Sequence, residues 1–170
     1  MPTILAMAGD PDIKEKLLNG HKVGHKTFKV HLDGHNLLPY LTGKEKNSPR
    51  KAFFYFTDDG DLAALRVDNW KHVFLEHRCR GSMQVWAEPF TQLRLPKMYN
   101  LRTDPFEFAD ITSATYRDWI FDHAFMLVPA QAIVGEFLST FKEYPPRQKA
   151  ASFSVDQVME KLEAPHGGAG

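Results

Sequence analysis

Between Lys51 and His77 the chain strings three apolar runs, "KAFFYFT", "LAALRV" and "WKHVFLEH", on two tight turns, "DDGD" and "DN". Aromatic and β-branched residues suit a pleated, half-buried surface, and Asp with Gly supplies the reversals. Runs joined by such short turns pair with their sequence neighbours, which predicts an antiparallel meander. "KMYNL", from Lys97 to Leu101, is the candidate for a fourth strand, and the preceding "RCRGSMQVWAEPFTQLRLP" reads as an irregular excursion with a short strand. From Ser113 the apolar period switches from two to three and four. Tyr116, Ile120, Ala124, Leu127 and Val128 line one face, Trp119 and Phe121 widen it, and Ile133, Val134, Phe137, Leu138 and Phe141 continue it. Pro129 is expected to kink or break this long helix. Strands in succession followed by a long helix predict an α+β fold: about four antiparallel strands with the helix packed on one face.

The flanks read more simply. Residues 2–8 and 11–19 suggest two short helices, the second capped by Asp10 with Pro11 at its first position and stopped by Gly20. "HKVGHKTFKVHL" alternates as one strand, and "DGHNLLPYLTGK" reads as a turn and a short helical segment. "YPPRQKAAS" is an extended linker, "SVDQVMEKLE" a last helix capped by Ser154 and Gln157, and "APHGGAG" a tail.

At 170 residues with 43% apolar content the chain can bury one core. Its 21 basic and 21 acidic residues cancel, so no global field attracts nucleic acid or an anionic membrane. One cysteine, Cys79, allows no intramolecular disulfide and no cysteine-rich zinc site. No run of 18 apolar residues signals a membrane span, and "MPTILAMAGDPDI" lacks the basic start of a signal peptide. An apolar element at the first residue suggests a chain cut from something larger, the alternative being an ordinary helical start.

Candidate chemistry is sparse. His21 with His25 and His31 with His35 stand four apart, a metal-ligand spacing on a helix. Gly24 and Gly34 within those pairs argue for turns and solvated histidines instead. Cys79 lies between Arg78 and Arg80 with His77 nearby, which favours a thiolate, but neither a positioned base nor an oxyanion site is legible. His123, near Asp122 and Trp119, reads as a half-buried, hydrogen-bonded residue. Asp58, Asp59 and Asp61 read as a hairpin turn, since the oxygen pattern of a calcium loop ends at Leu62. Lys44, Lys46, Arg50 and Lys51 form a solvated loop patch. No phosphate loop and no Gly-x-Ser-x-Gly elbow occurs. The residues therefore offer no catalytic, cofactor-binding or metal-binding set.

Four segments in order carry a resemblance: "PTILAMAG", "DGHNLLPYLTG", "FYFTDDGDLAALRVDNWKHVF" and "KMYNLRTDPFEFADI". Together they resemble the C-terminal region of the arylsulfatase-like sulfatases of the alkaline-phosphatase superfamily, over roughly residues 2–112 through motifs. The shared patterns are PT-x-L-x-x-A-G, DG-x-x-L-L-P-x-L-x-G, R-x-x-x-W-K at Arg66–Lys71, and an L-Y-N-L-x-x-D-P-x-E pattern at Met98–Glu107. The resemblance implies that residues 1–45 end the large catalytic domain and connect onward. Residues 46–145 then form the C-terminal sheet and helix, and 146–170 a linker, short helix and tail.

The family hydrolyses sulfate esters with a formylglycine made in a C/S-x-P-x-R motif and a calcium ion. Here Cys79 is followed by Arg80, Gly81, Ser82 and Met83, and Ser48-Pro49-Arg50 has the wrong spacing. The resemblance implies that these groups lie upstream of the PT helix. The chain is then a C-terminal fragment of a sulfuric ester hydrolase, inactive alone, whose partner is the catalytic domain and which could self-associate through a bare apolar patch. Neither nucleic acid nor membrane is an expected partner. The alternative is an independent binding or interaction module with an aromatic surface such as Trp70, Trp86 and Phe90.

Overall fold

The computed structural model describes residues 1–77, 79, 84 and 87–145. Strands β1 (His21–Val23) and β2 (Lys26–Phe28) form a small hairpin. Strands β3 (Ala52–Phe56), β4 (Leu62–Val67), β5 (Trp70–His77) and β6 (Phe90–Asn100) form a four-stranded antiparallel meander in sequence order. Helices α1 (Pro2–Met7), α2 (Ile13–Asn19) and α3 (Leu38–Leu41) precede the sheet. Helices α4 (Ala109–Thr112), α5 (Tyr116–Asp122) and α6 (Leu127–Glu143) follow it, with a 3₁₀ turn at Ala124–Met126. The α+β architecture is the one that the change of period announces.

Strand pairing divides the residues between two faces, because alternate side chains point to opposite sides. Phe54, Leu65, His72 and Met98 are consecutive cross-strand partners and form one row. Leu65 and Met98 are fully buried and His72 nearly so. Phe54 stacks on Phe137 of α6 with ring centroids 3.9 Å apart. The next row on this face, Ala52, Val67, Trp70 and Asn100, places Trp70 against Trp119 of α5 at 5.9 Å. The helices thus cover one face, and Met98, Tyr99, Tyr116 and Ile120 knit the core at the β6 side.

Strand β6 is longer than "KMYNL" because "FTQLRLP" pairs with β5 as well. Its Pro96 is tolerated because β6 is an edge strand, and the register slips nearby: Val73 faces Lys97 while Leu75 faces Gln92. The Tyr116 hydroxyl closes that edge, accepting from Met98 N at 3.1 Å and donating to Met98 O at 2.9 Å. Two backbone groups that an edge strand would leave bare are thereby satisfied.

Several boundaries differ from the sequence reading. Helix α2 starts at Ile13 with Asp12 at its N-cap, and Asp10 instead holds Lys16 at 2.6 Å. The single strand expected in "HKVGHKTFKVHL" is a hairpin, because Gly24 turns the chain with φ 61°. The long helix breaks at His123, not at Pro129. Pro129 falls in the first turn of α6, where a backbone N–H would have no helical partner. The linker and last helix expected after Pro145 lie outside the described residues.

Candidate functional site

The signature segments turn out to be joints. Thr3 Oγ1 donates to His35 O and accepts from Leu37 N, both at 3.1 Å, so α1 is pinned to the segment leading into α3. Gly34 allows a close approach there, since a Cβ would crowd Pro2 Cδ at 3.0 Å. Asp104 accepts from Phe108 N at 3.0 Å and Ala109 N at 2.8 Å, which caps the start of α4. Glu107, held at φ 57°, grips Lys71 Nζ with both oxygens at 2.7 Å. The tryptophan-lysine and Asp-Pro-x-Glu patterns thus meet in one ion pair.

The sheet face away from the helices carries two rows: Phe53, Arg66, Lys71 and Tyr99, then Tyr55, Ala64, Val73 and Lys97. The 104–112 segment folds over the β6 side of this face. What remains is a groove of about 400 Å³ lined by Tyr55, Lys71, Glu76, Lys97, Tyr99 and Asp110, among others. Lys97 Nζ bonds Glu76 Oε2 at 2.6 Å and Asp110 Oδ2 at 2.7 Å. Burial works against the ammonium charge, but the bonds to Asp110 and Glu76 outweigh it and hold Lys97 above the usual lysine range. Asp110 Oδ1 is buried without a hydrogen-bond partner among the described residues. Burial, then Tyr116 and Asp110, pushes Tyr99 far up, so it stays a neutral phenol.

An adjoining groove of about 520 Å³ runs past Arg50, Phe53, Tyr55, Arg66 and Asp68, with the Arg50 guanidinium 5.4 Å from the Phe53 ring centre.

The residues singled out from sequence do not gather here. His21 and His25 sit on the small hairpin, and His31 faces Asp33 at 3.1 Å. Burial lowers His35, and Lys14 and Arg50 add to the effect. No group of three or more His, Cys, Asp or Glu residues placed to hold a metal occurs among the described residues. Glu76, Glu107 and Asp110 each bond a lysine, so they do not converge as the roughly six to eight oxygens that calcium takes. His77 accepts from Cys79 N at Nδ1, 3.2 Å away, and donates from Nε2 to Glu88 O at 2.8 Å. With its lone pair taken, His77 is no base for the Cys79 thiol, which itself points to Gln84 Oε1 at 3.4 Å. His123 is half-buried, as expected, with Nδ1 2.7 Å from Trp119 O. Asp61 closes its hairpin by donating N–H to Thr57 Oγ1 at 3.1 Å. Trp70 is packed against Trp119 and His123, Phe90 stays exposed at the groove rim, and Trp86 lies outside the described residues.

The Glu76–Lys97–Asp110 cluster carries no sequence signal, because strand register and the turn after Asp104 alone bring its members together. Compared with family models and with curated proteins, the chain matches none.

Proposed function

We propose that the chain is the C-terminal subdomain of a sulfatase-like sulfuric ester hydrolase. It packs on a catalytic domain, walls part of the substrate cleft, and has no turnover of its own. Formylglycine and calcium would belong to the catalytic domain. The motif order supports this reading, and one structural observation carries it. Helix α1 carries no charged side chain, yet it leaves Ile4 70% and Met7 61% exposed while Thr3 fixes it in place. Large apolar side chains left bare on a helix so fixed suit burial against a larger body. Phe121 of α5, Phe125 of the 3₁₀ turn and Val128 of α6 are likewise exposed. Covering each such side chain is worth about 1.5–3 kcal/mol, enough to hold a neighbouring domain or, in the isolated chain, a second copy.

One helical stretch, Ala124–Glu143, is also long and apolar enough to cross a membrane by length and composition. Its Phe137 and Phe141 rest on the sheet, and Glu136, Lys142 and Glu143 lie within it, which favours a protein neighbour over lipid. An independent aromatic module has less support, since Trp70 is committed to the core side.

The pure chain, given an aryl sulfate and calcium, is expected to match the buffer blank. Sedimentation should show self-association that Ile4→Lys with Val128→Lys abolishes. Aryl sulfate turnover by the chain, or a monomer that binds no apolar dye, would sink the reading.

A further inference from the structure

The two edges of the main sheet end differently. Tyr116 closes the β6 edge, whereas β3, the other outer strand, pairs with β4 alone. In an antiparallel pair alternate residues turn both backbone groups away from the neighbour, so an outer strand presents a row of them outward. Among the described residues no other backbone group bonds Ala52–Phe56. The register is regular from Ala52 to Tyr55 and shifts only before Phe56, so this stretch can template a further strand.

Side-chain charge decides what that strand would carry. Phe53 and Tyr55 lie on the open sheet face, with Arg66 opposite Phe53 and the Arg50 guanidinium 5.4 Å from the Phe53 ring centre. Together with Lys51 they line the groove of about 520 Å³ beside the edge. Arg50, Lys51 and Arg66 are exposed and make no ion pair among the described residues. Arg66 bonds Asp68 O through Nε at 3.0 Å, which leaves its terminal nitrogens for a guest. Asp68 is the one acid lining this groove against those three cations. A lysine-rich strand would be repelled there, whereas carboxylates would meet guanidinium groups of matching forked geometry. Phe53, 43% exposed, adds apolar surface between the charges.

We infer that the open edge of β3 binds an extended acidic segment of another protein. The segment extends the sheet through backbone hydrogen bonds and sets its carboxylates against Arg50, Lys51 and Arg66. The inference goes beyond the sulfatase reading and does not rest on it.

The test is fluorescence anisotropy of a short labelled peptide of alternating glutamate and valine titrated with the full chain, followed by amide hydrogen exchange of the complex. Binding should saturate, weaken as salt rises, and slow exchange within Ala52–Tyr55. The same peptide with lysine in place of glutamate should not bind. Arg50→Glu with Lys51→Glu, both at exposed positions, should weaken binding about ten-fold or more, since attractions become repulsions. Two further peptides carry methyl groups on alternate backbone nitrogens, one set or the other. One of them should lose binding and the other keep it, because only one set of N–H groups faces β3. Absence of saturable binding overturns the proposal, as does equal binding of the lysine peptide or exchange slowed only outside β3. Binding kept by both methylated peptides also overturns it, since the contact is then ionic without strand addition. So does tighter binding of a single-stranded oligonucleotide of equal charge, which would make the groove a nucleic-acid site. Should the double variant fail to fold, the methylated pair decides.

Discussion

Replacing Tyr116 by phenylalanine removes one oxygen and two hydrogen bonds while leaving the ring in place. The hydroxyl sits in the core, donating to Met98 O at 2.9 Å and accepting from Met98 N at 3.1 Å. Met98 and Tyr116 are both buried, so water cannot reach the two backbone groups without opening the edge of β6. Each buried group stripped of its partner costs about 1–3 kcal/mol, so losing both with Tyr116→Phe should destabilise by roughly 2–6 kcal/mol. For a chain of 170 residues that is a fall in Tm of roughly 4–24 °C. Ring contacts to Tyr99 and Trp119 persist, so the loss is assigned to the hydroxyl. The assay is urea unfolding followed by tryptophan fluorescence, with a lower midpoint and an unchanged m value. Amide exchange at Met98 should quicken more than at Leu65 in the sheet centre. A loss below about 0.5 kcal/mol, within the noise of an ordinary surface change, would refute the claim that this hydroxyl seals the edge.

His72 is buried, its Nδ1 has no hydrogen-bond partner among the described residues, and burial lowers its pKa. Its neutral form is native, so stability should hold above the unfolded value of about 6.5 and decline as pH falls below it; Tm from pH 8 to 5 should show this, and His72→Asn should flatten the decline. His35 shifts the same way and adds to it. Lys71→Met and Glu107→Gln should each cost about 1 kcal/mol, and a double-mutant cycle should recover a favourable coupling between them. Asp104→Ala removes both acceptors from the start of α4 and should cost about 1 kcal/mol by urea unfolding. Asp68, at φ 51° in the turn between β4 and β5, strains an L residue, so Asp68→Gly should raise stability by about 0.5–1 kcal/mol.

The sequence by itself determined the meander, its order and the helices after it. Those rest on local properties: period-two apolar runs, turn residues of special geometry, and a change to helical spacing at Ser113. "KMYNL" was legible as the fourth strand for the same reason. Local signals misplaced what tertiary contacts choose. The 3₁₀ turn at Ala124–Met126 shifted the helix start so that Pro129 fell in a first turn, and an edge position let "FTQLRLP" pair despite Pro96. Only the tertiary structure decided that the segment after Asp104 folds over the open sheet face, that Tyr116 then seals the β6 edge, and that α5 and α6 cover the far side. It alone brought Glu76, Lys97 and Asp110 together. Residues from two strands and a later helix share no spacing that a linear reading can detect. Their meeting depends on strand register, and register is settled by which face is buried.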